Sequence, residues 1–234
     1  MENILNSGLF INYGLPILGF VITFLAQIYI KITYGKYKDE DNKNGLSGYD
    51  TARKILDSNG LKDILVLETS GELSDHYDPS KRVIKLSTDI YHGTSIASVA
   101  VAAHECGHAI QDKEGYTFLR IRHAMVPFVN FSTKIGYLVL LIGLIMNAIG
   151  LATIGLVLLM AMLLFQLVTL PVEFNASNRA RKQIDTLNLI GKDEQSGVKT
   201  MLFSAALTYV ASLASTLFQI LRLALIVNNK RSNK

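Results

Sequence analysis

Long uncharged apolar segments separate the charged regions of this chain. Residues 9–30 form the first, which at about 22 residues is long enough to cross roughly 30 Å of hydrocarbon. No Lys or Arg precedes it and no A-x-A-like site follows, so we interpret it as an uncleaved membrane helix and not as a signal peptide. Residues 135–170 would be about 54 Å long as one helix, which is too long for a single crossing. They therefore predict a helical hairpin that turns near residues 147–150.

The last apolar segment, residues 201–227, leaves two arrangements open. A single crossing would leave the basic tail after it outside the cell, against the positive-inside rule. A re-entrant or surface-lying segment would return the tail to the inside. Lys134 and Arg222 are expected near the ends of their segments, where a lysine side chain can reach the interface.

A polar region, residues 31–123, lies between the first two apolar segments. Residues 48–59 have a helical pattern that stops at Gly60, and residues 64–68 and 83–87 have the composition of short strands. A further apolar helix is predicted over 95–111, with Thr94 or Ser95 as its N-cap.

Composition and charge narrow the class of protein. Half of the residues are hydrophobic and the net charge is +4, but the positive charges stand beside apolar segments, where anionic lipid headgroups attract them. We therefore expect a lipid bilayer as partner and no nucleic acid. The Lys and Arg residues of 31–123 and 171–200 place both regions in the cytoplasm and the N-terminus outside.

The string His104-Glu105-Cys106-Gly107-His108 carries the most specific chemistry. On a helix the two histidines lie about 40° apart, so both imidazoles can face one ion. Glu105 lies one position further round, where it can reach a water molecule beside that ion. This is the H-E-x-x-H arrangement of zinc hydrolases. Cys106, the only cysteine, should point away from the ion and serve as a small packing residue.

A catalytic zinc needs a third protein ligand and an open position. His76, His92 and Glu173 are the candidates. Glu173 is the best of them, because the hairpin returns the chain to the side that holds the two histidines and because Pro171 can start or kink a helix there. The alternative is that Glu173 is an interfacial carboxylate at a membrane boundary.

Four segments together resemble the membrane-bound neutral zinc metallopeptidases of the YugP type: SDHYDP (74–79), RVIKLS (82–87), SIASVAVAAHECGHAIQ (95–111) and FQLVTLPVEFNASNRA (165–180). The resemblance covers nearly the whole chain. It implies a zinc metallopeptidase, more specifically an endopeptidase, that binds one Zn²⁺ per chain through His104, His108 and Glu173. The last segment is also similar to the third-ligand helix of HtpX-like membrane proteases, which implies a supporting role for Ser177. The YugP-type pattern there is more often EFDASRRA, so Asn175 and Asn178 depart from it, and this weakens any essential role for either.

The resemblance also implies a mechanism of metal-assisted hydrolysis of a protein or peptide substrate, with Glu105 as general base. His76 and Tyr77 are the leading candidates for the oxyanion donor, although they could merely build a polar turn with their aspartate neighbours. The strand at 83–87 is expected to bind substrate by edge pairing. Arg179 is either a donor to substrate or a carboxylate, or a positive-inside anchor. His92 and His123 are read as surface or interfacial histidines.

The predicted fold class is mainly α and integral to the cell membrane, with several crossings and a small α+β, zincin-like catalytic region. The predicted division is a first transmembrane helix (1–31), a cytoplasmic catalytic region (32–124), a transmembrane hairpin (125–170), a third-ligand segment (171–200) and a C-terminal membrane segment with a basic tail (201–234). The alternative function is a catalytically inactive, zinc-binding membrane scaffold or adaptor. Glu105 favours the protease, because a structural zinc site needs no general base between its ligands. The sequence specifies neither the substrate nor the oligomeric state.

Overall fold

The computed structural model of this chain describes residues 8–232, and it is mainly helical. In chain order its elements are α1 (Leu15–Lys38), α2 (Gly48–Ser58), β1 (Leu65–Thr69), β2 (His76–Asp78), β3 (Val83–Ser87), α3 (Thr88–His92), α4 (Ile96–Lys113), α5 (Thr117–Ile145), α6 (Ile149–Thr186) and α7 (Gln195–Ser232), with a π-helical turn, Phe10–Gly14, before α1. The mainly α class, with a small sheet, is thus confirmed.

Among the described residues, four helices are long and apolar enough to cross a membrane: α1 with the turn before it, α5, α6 and α7. The predicted hairpin is present, because α5 ends at Ile145 and α6 begins at Ile149. The last apolar segment belongs to the single helix α7, which has no break at which the chain could re-enter. A crossing and a surface-lying helix both stay predictions. The five-part division of the chain stays a prediction.

Three residues lie inside these helices and away from their ends. Lys134 does not lie near a segment end, because α5 extends back to Thr117, and Arg222 lies within α7. Pro171 lies inside α6, which runs from Ile149 to Thr186, so of the two alternatives for this residue the helix start is wrong. A helix tolerates such a proline when other groups satisfy the carbonyl that it frees. Glu173 is therefore presented from the interior of a long helix.

The chain divides into two compact units. One contains the described residues up to Gln27, then Ile121–Leu170 and the part of α7 from Thr208. In this unit, a Cβ added to Gly143 of α5 would lie 2.3 Å from the backbone nitrogen of Ala152 in α6. A Cβ added to Gly155 of α6 would lie 2.4 Å from the backbone nitrogen of Leu140 in α5. The absence of a side chain at these two glycines therefore allows α5 and α6 to pack closely.

Lys230 in the basic tail has a structural role in this first unit. Its ammonium donates to the backbone oxygen of Leu144 at 2.7 Å and to the side-chain oxygen of Asn147 at 3.3 Å. A cation at a helix C-terminus satisfies free carbonyl groups and interacts favourably with the helix dipole. The charge of Lys230 therefore stabilises the end of α5, whichever side of the membrane it occupies.

The other unit contains Ile28–Arg120 and Pro171–Leu207. Its sheet has the order β1-β3-β2, with β1 parallel and β2 antiparallel to β3. The predicted strands at 64–68 and 83–87 are confirmed as β1 and β3, and β2 is an addition. Because β3 pairs on both sides, the expectation that it binds substrate by edge pairing is wrong. The free edge next to α4 belongs to β2, which contacts that helix.

The helix α4 is the centre of this second unit. The Ser95 hydroxyl caps it by accepting from the backbone N–H of Ser98 at 3.1 Å, which confirms one of the two predicted caps. Its small residues are almost all buried, and the helix packs against α2. Cys106 lies in that interface, with its sulfur 3.7 Å from the backbone oxygen of Ala52. As predicted, the cysteine points into the apolar core.

Candidate metal centre

Three potential metal ligands converge between α4 and α6. The Oε2 atom of Glu173 lies 3.3 Å from Nε2 of His104 and 3.5 Å from Nε2 of His108. The ligand atoms of these three residues all lie within 4.8 Å of one another, and Glu173 is 2% exposed. A carboxylate is costly to bury without a partner of opposite charge or a metal ion.

The second ring nitrogen of each histidine is held by a side-chain oxygen. Nδ1 of His108 lies 3.0 Å from Oε1 of Gln111, and Nδ1 of His104 lies 3.2 Å from Oγ of Ser177. An amide oxygen can only accept, so Nδ1 of His108 donates to Gln111, and Nε2 is the ring nitrogen that faces Glu173. Histidine ligands of metals are oriented in this way, by donating the other N–H to an oxygen.

Gly107 brings the two helices together. A Cβ built at this position would lie 2.4 Å from the backbone oxygen of Ala176 in α6, closer than any side chain permits. Glu173 precedes Ala176 by three residues, or about one helical turn. The contact at Gly107 therefore places Glu173 opposite the two histidines that flank this glycine in α4.

A buried polar network, which the sequence pattern did not indicate, links α4 to α6 behind His108. Gln111 is fully buried, and its Nε2 donates to the backbone oxygen of Val172 at 2.8 Å and to Oδ1 of Asn175 at 3.0 Å. Asn175 also accepts from Nε of Arg179 at 2.7 Å, and Arg179 pairs with Glu114 at 2.7 Å. Arg179 thus binds a carboxylate, one of the two predicted alternatives. The sequence feature that could have indicated this network is the position of Gln111, about one helical turn after His108.

Glu105 is buried beside this site. Burial raises the pKa of its carboxyl to about 7, while the charge of His104 and the backbone N–H of Tyr77 oppose the rise and the charges of Glu173 and Asp75 add to it. The carboxyl can therefore hold or release a proton near neutral pH, as a general base must.

The other predicted residues lie outside this group of three ligands. His76 and His92, the alternative third ligands, have other partners: Nδ1 of His76 lies 2.8 Å from the backbone oxygen of Ser74, and Nε2 of His92 lies 3.3 Å from a Glu68 carboxylate oxygen. The hydroxyl of Tyr77 donates to Asp112 at 2.9 Å. An oxyanion role for His76 or Tyr77 stays a prediction.

The donor set fits zinc. In a tetrahedral site with zinc–nitrogen distances of about 2.0–2.1 Å, neighbouring ligand atoms are about 3.3 Å apart. The carboxylate lies at 3.3 and 3.5 Å from the two imidazole nitrogens. Two imidazoles and one carboxylate also form a ligand set found in catalytic zinc sites, which leaves the fourth position open.

Long apolar helices and a His-His-Glu group that could hold a metal ion are the features expected of a membrane zinc metallopeptidase. Comparison with known proteins agrees: residues 13–228 match the family described as "Putative neutral zinc metallopeptidase", and this chain belongs to that family. It is 44% identical over 223 residues to a protein of Bacillus subtilis (strain 168) named "Putative membrane protease YugP", covering 95% of this chain and 98% of that protein. No solved structure matches. The chain is therefore a membrane protein of a zinc peptidase family, as the resemblance in its motifs indicated.

The first prediction concerns the helix contact. Gly107→Ala should reduce zinc affinity by about tenfold or more, because overpacking of this kind costs about 1–3 kcal/mol unless α4 and α6 move apart. Zinc titration of the detergent-purified protein measures it. Gly35→Ala is the control, since no atom lies within 4 Å of the Cβ added there. Equal zinc affinity for Gly107→Ala and the unmodified protein would show that the close contact does not position Glu173.

The second prediction concerns Gln111. Gln111→Leu should lower zinc affinity by about 10- to 100-fold, because His108 loses the oxygen that orients it. Gln111→Glu keeps an acceptor for Nδ1 but loses the donor to Val172 and Asn175, so its affinity should lie between those of Gln111→Leu and the unmodified protein. Gln183→Leu is a matched control, because that amide bonds to Asn59 and not to a ligand. A loss of thermal stability in Gln111→Leu without any change in zinc affinity would mean that Gln111 has only a packing role.

Proposed function

We propose that this protein is a membrane endopeptidase in which His104, His108 and Glu173 hold one zinc ion and Glu105 is the general base. The observation that carries the proposal is the orientation of the two imidazoles. Both Nε2 atoms face the Glu173 carboxylate, while both Nδ1 atoms face side-chain oxygens. A pair of surface histidines would have no reason for such fixed and convergent ring orientations.

Zinc held by these residues would supply a Lewis acid that activates water and polarises a peptide carbonyl. The chain's own contribution begins with Glu105, which accepts a proton from the attacking water and passes it to the leaving amine. Ser177 and Gln111 keep the imidazoles aligned during this cycle. The apolar core around Cys106 closes the opposite face of α4, so substrate approaches from the side of Glu173.

The substrate is proposed to lie along β2. This strand contacts α4 and pairs with β3 through one edge only among the described strands, so its other edge can accept an extended peptide. The backbone N–H of Tyr77 in β2 acts on the Glu105 carboxyl, which puts this edge next to the proposed base. The basic residues of the second unit support a cytoplasmic location for the site under the positive-inside rule.

The third prediction tests the assignment of roles. Glu173→Ala should lose most bound zinc and all proteolysis of a casein-type substrate, because only two ligands remain. Glu105→Gln should retain zinc and lose activity by about 100-fold or more, since general-base catalysis contributes about that much. Metal analysis and a proteolysis assay on detergent-purified protein measure the two quantities.

The matched control is Glu194→Gln, which changes another buried carboxylate of the same unit. Glu194 accepts from the backbone N–H of Lys43 at 2.8 Å and takes no part in the three-ligand cluster. The Glu194→Gln variant should retain both bound zinc and proteolytic activity. Full zinc content in Glu173→Ala would show that Glu173 is not a ligand. Full activity in Glu105→Gln would show that Glu105 is not the general base.

A further inference from the structure

A cavity of about 470 Å³ lies in the second unit, beside the N-terminal end of α4. Cavities of roughly 300–1,000 Å³ are typical of sites that enclose a small ligand. The wall is formed by the C-terminal end of α1, by α3 and by the first turn of α4, and most of its side chains are polar. The three proposed metal ligands are not part of this wall, so the cavity is a separate place in the same unit.

The cavity lies on the face of α4 that carries the proposed general base. Ser98 of the wall precedes Glu105 by seven residues, which is close to two full helical turns. The two side chains therefore share one face of the helix, about 10.5 Å apart along its axis. Asp75, the residue before β2, acts electrostatically on both the Tyr34 hydroxyl in the wall and the Glu105 carboxyl. The start of β2 is thus within electrostatic reach of both places.

Negative charge prevails around this cavity. Asp39 and Asp89 are part of the wall, and Lys38 is the one permanent cation among the described wall residues. Lys38 already pairs with the Glu72 carboxylate at 3.8 Å. Asp75 and Glu72 add further negative charge within electrostatic reach of the wall. The site is therefore complementary to a cation that enters from outside the chain.

The wall also contains a buried hydroxyl group that requires a partner. Tyr34 is 6% exposed, and its hydroxyl has no hydrogen-bond partner among residues 8–232. A buried tyrosine hydroxyl usually finds a partner, because an unsatisfied polar group in the interior is costly. The hydroxyl oxygen can accept a hydrogen bond from an ammonium or guanidinium group that the nearby carboxylates attract.

An extended peptide has the right length to connect the cavity to the proposed base. Each residue of an extended chain advances about 3.3 Å, so about three residues cover the distance from Glu105 to Ser98 along α4. A peptide paired with the free edge of β2 would pass Glu105 and present one side chain to the cavity.

We propose that this cavity is a substrate subsite that binds a lysine or arginine side chain about three residues from the bond that is cut. The cation pairs with Asp89 and Asp39 and donates to the Tyr34 hydroxyl. This inference rests on the proposed function, because it gives the substrate preference of the same site. It makes Asp89 and Tyr34 specificity-determining residues that have no contact with the metal ligands.

The first part of the test maps the bonds that are cut. The detergent-purified protein digests a casein-type substrate, and mass spectrometry of the products identifies those bonds. We expect lysine and arginine to be enriched at one position, about three residues to one side of the cut bond. Cut bonds without such an enrichment would overturn the subsite.

The second part measures peptide binding by fluorescence anisotropy in the Glu105→Gln variant, which separates binding from cleavage. Three peptides, labelled at the C-terminus, share the sequence around one frequently cut bond. The first is N-acetylated with lysine at the enriched position, the second is N-acetylated with norleucine there, and the third has norleucine and a free N-terminal amine. We expect the lysine peptide to bind at least about fivefold more tightly than either norleucine peptide, and the difference to shrink as salt increases.

The other outcomes of this measurement are distinct. Tightest binding of the peptide with the free amine would assign the cavity to a peptide N-terminus and overturn the proposal. Equal affinities, with cleavage by the unmodified protein, would overturn the subsite alone. Neither binding nor cleavage of any of the three peptides would overturn the proposed function, and the subsite with it.

Variants of the wall complete the test. Asp89→Asn, combined with Glu105→Gln, should lower the ratio of affinities for the lysine and norleucine peptides by about threefold or more, because one charge is lost. Tyr34→Phe removes the buried acceptor and should lower the same ratio, which keeps the test decisive if Asp89→Asn does not fold. Asp185→Asn changes an exposed carboxylate of the same unit outside the cavity and should leave the ratio unchanged. An unchanged ratio in both wall variants would overturn the proposal.

Discussion

The close contact between α4 and α6 at Gly107 is the constraint on which the metal centre depends. The backbone oxygen of Ala176 occupies the space that any side chain at position 107 would need. This contact sets the distance between two helices that are far apart in the sequence. His104 and His108 stand on either side of the glycine, and Glu173 lies one turn before Ala176. A single residue without a side chain therefore allows three ligands from two helices to meet.

Polar side chains fix the ring orientations of the two histidines that the contact between α4 and α6 brings close to Glu173. Ser177, on α6, holds the ring of His104, which is on α4. Gln111, on α4, holds the ring of His108 and also donates to the backbone of α6 at Val172. Each histidine is thus oriented by a group that itself belongs to, or reaches, the opposite helix. Loss of alignment between the helices would change ligand separation and ring orientation together, so the network and the site are one structural unit.

Local patterns predicted much of this arrangement, whereas long-range pairing did not follow from them. The Ser95 cap, the strands β1 and β3 and the hairpin turn each depend on neighbouring residues, and the structure confirms them. The spacing of His104 and His108 brings both rings beside Glu173, and their role as zinc ligands stays a proposal. The strand β2 is only three residues long and polar, so it has no periodic signal, and its pairing makes β3 internal. Gln111 and Gly107 acquire their roles only from the face of α6 that meets α4. A charge such as that of Lys134 gives no local signal of depth, because it can end an apolar segment or lie inside a longer helix, as it does in α5.

Zinc K-edge X-ray absorption of the purified protein is the direct test of metal binding by His104, His108 and Glu173, because it reports the atoms around the metal independently of catalysis. We expect nitrogen and oxygen neighbours at about 2.0–2.2 Å from the metal, with imidazole scattering from two histidines and no sulfur. In Glu173→Ala the spectrum should lose a carboxylate oxygen or the bound metal. A sulfur scatterer near 2.3 Å would contradict the assignment, since it would bring Cys106 to the metal. A spectrum unchanged by Glu173→Ala would contradict it equally.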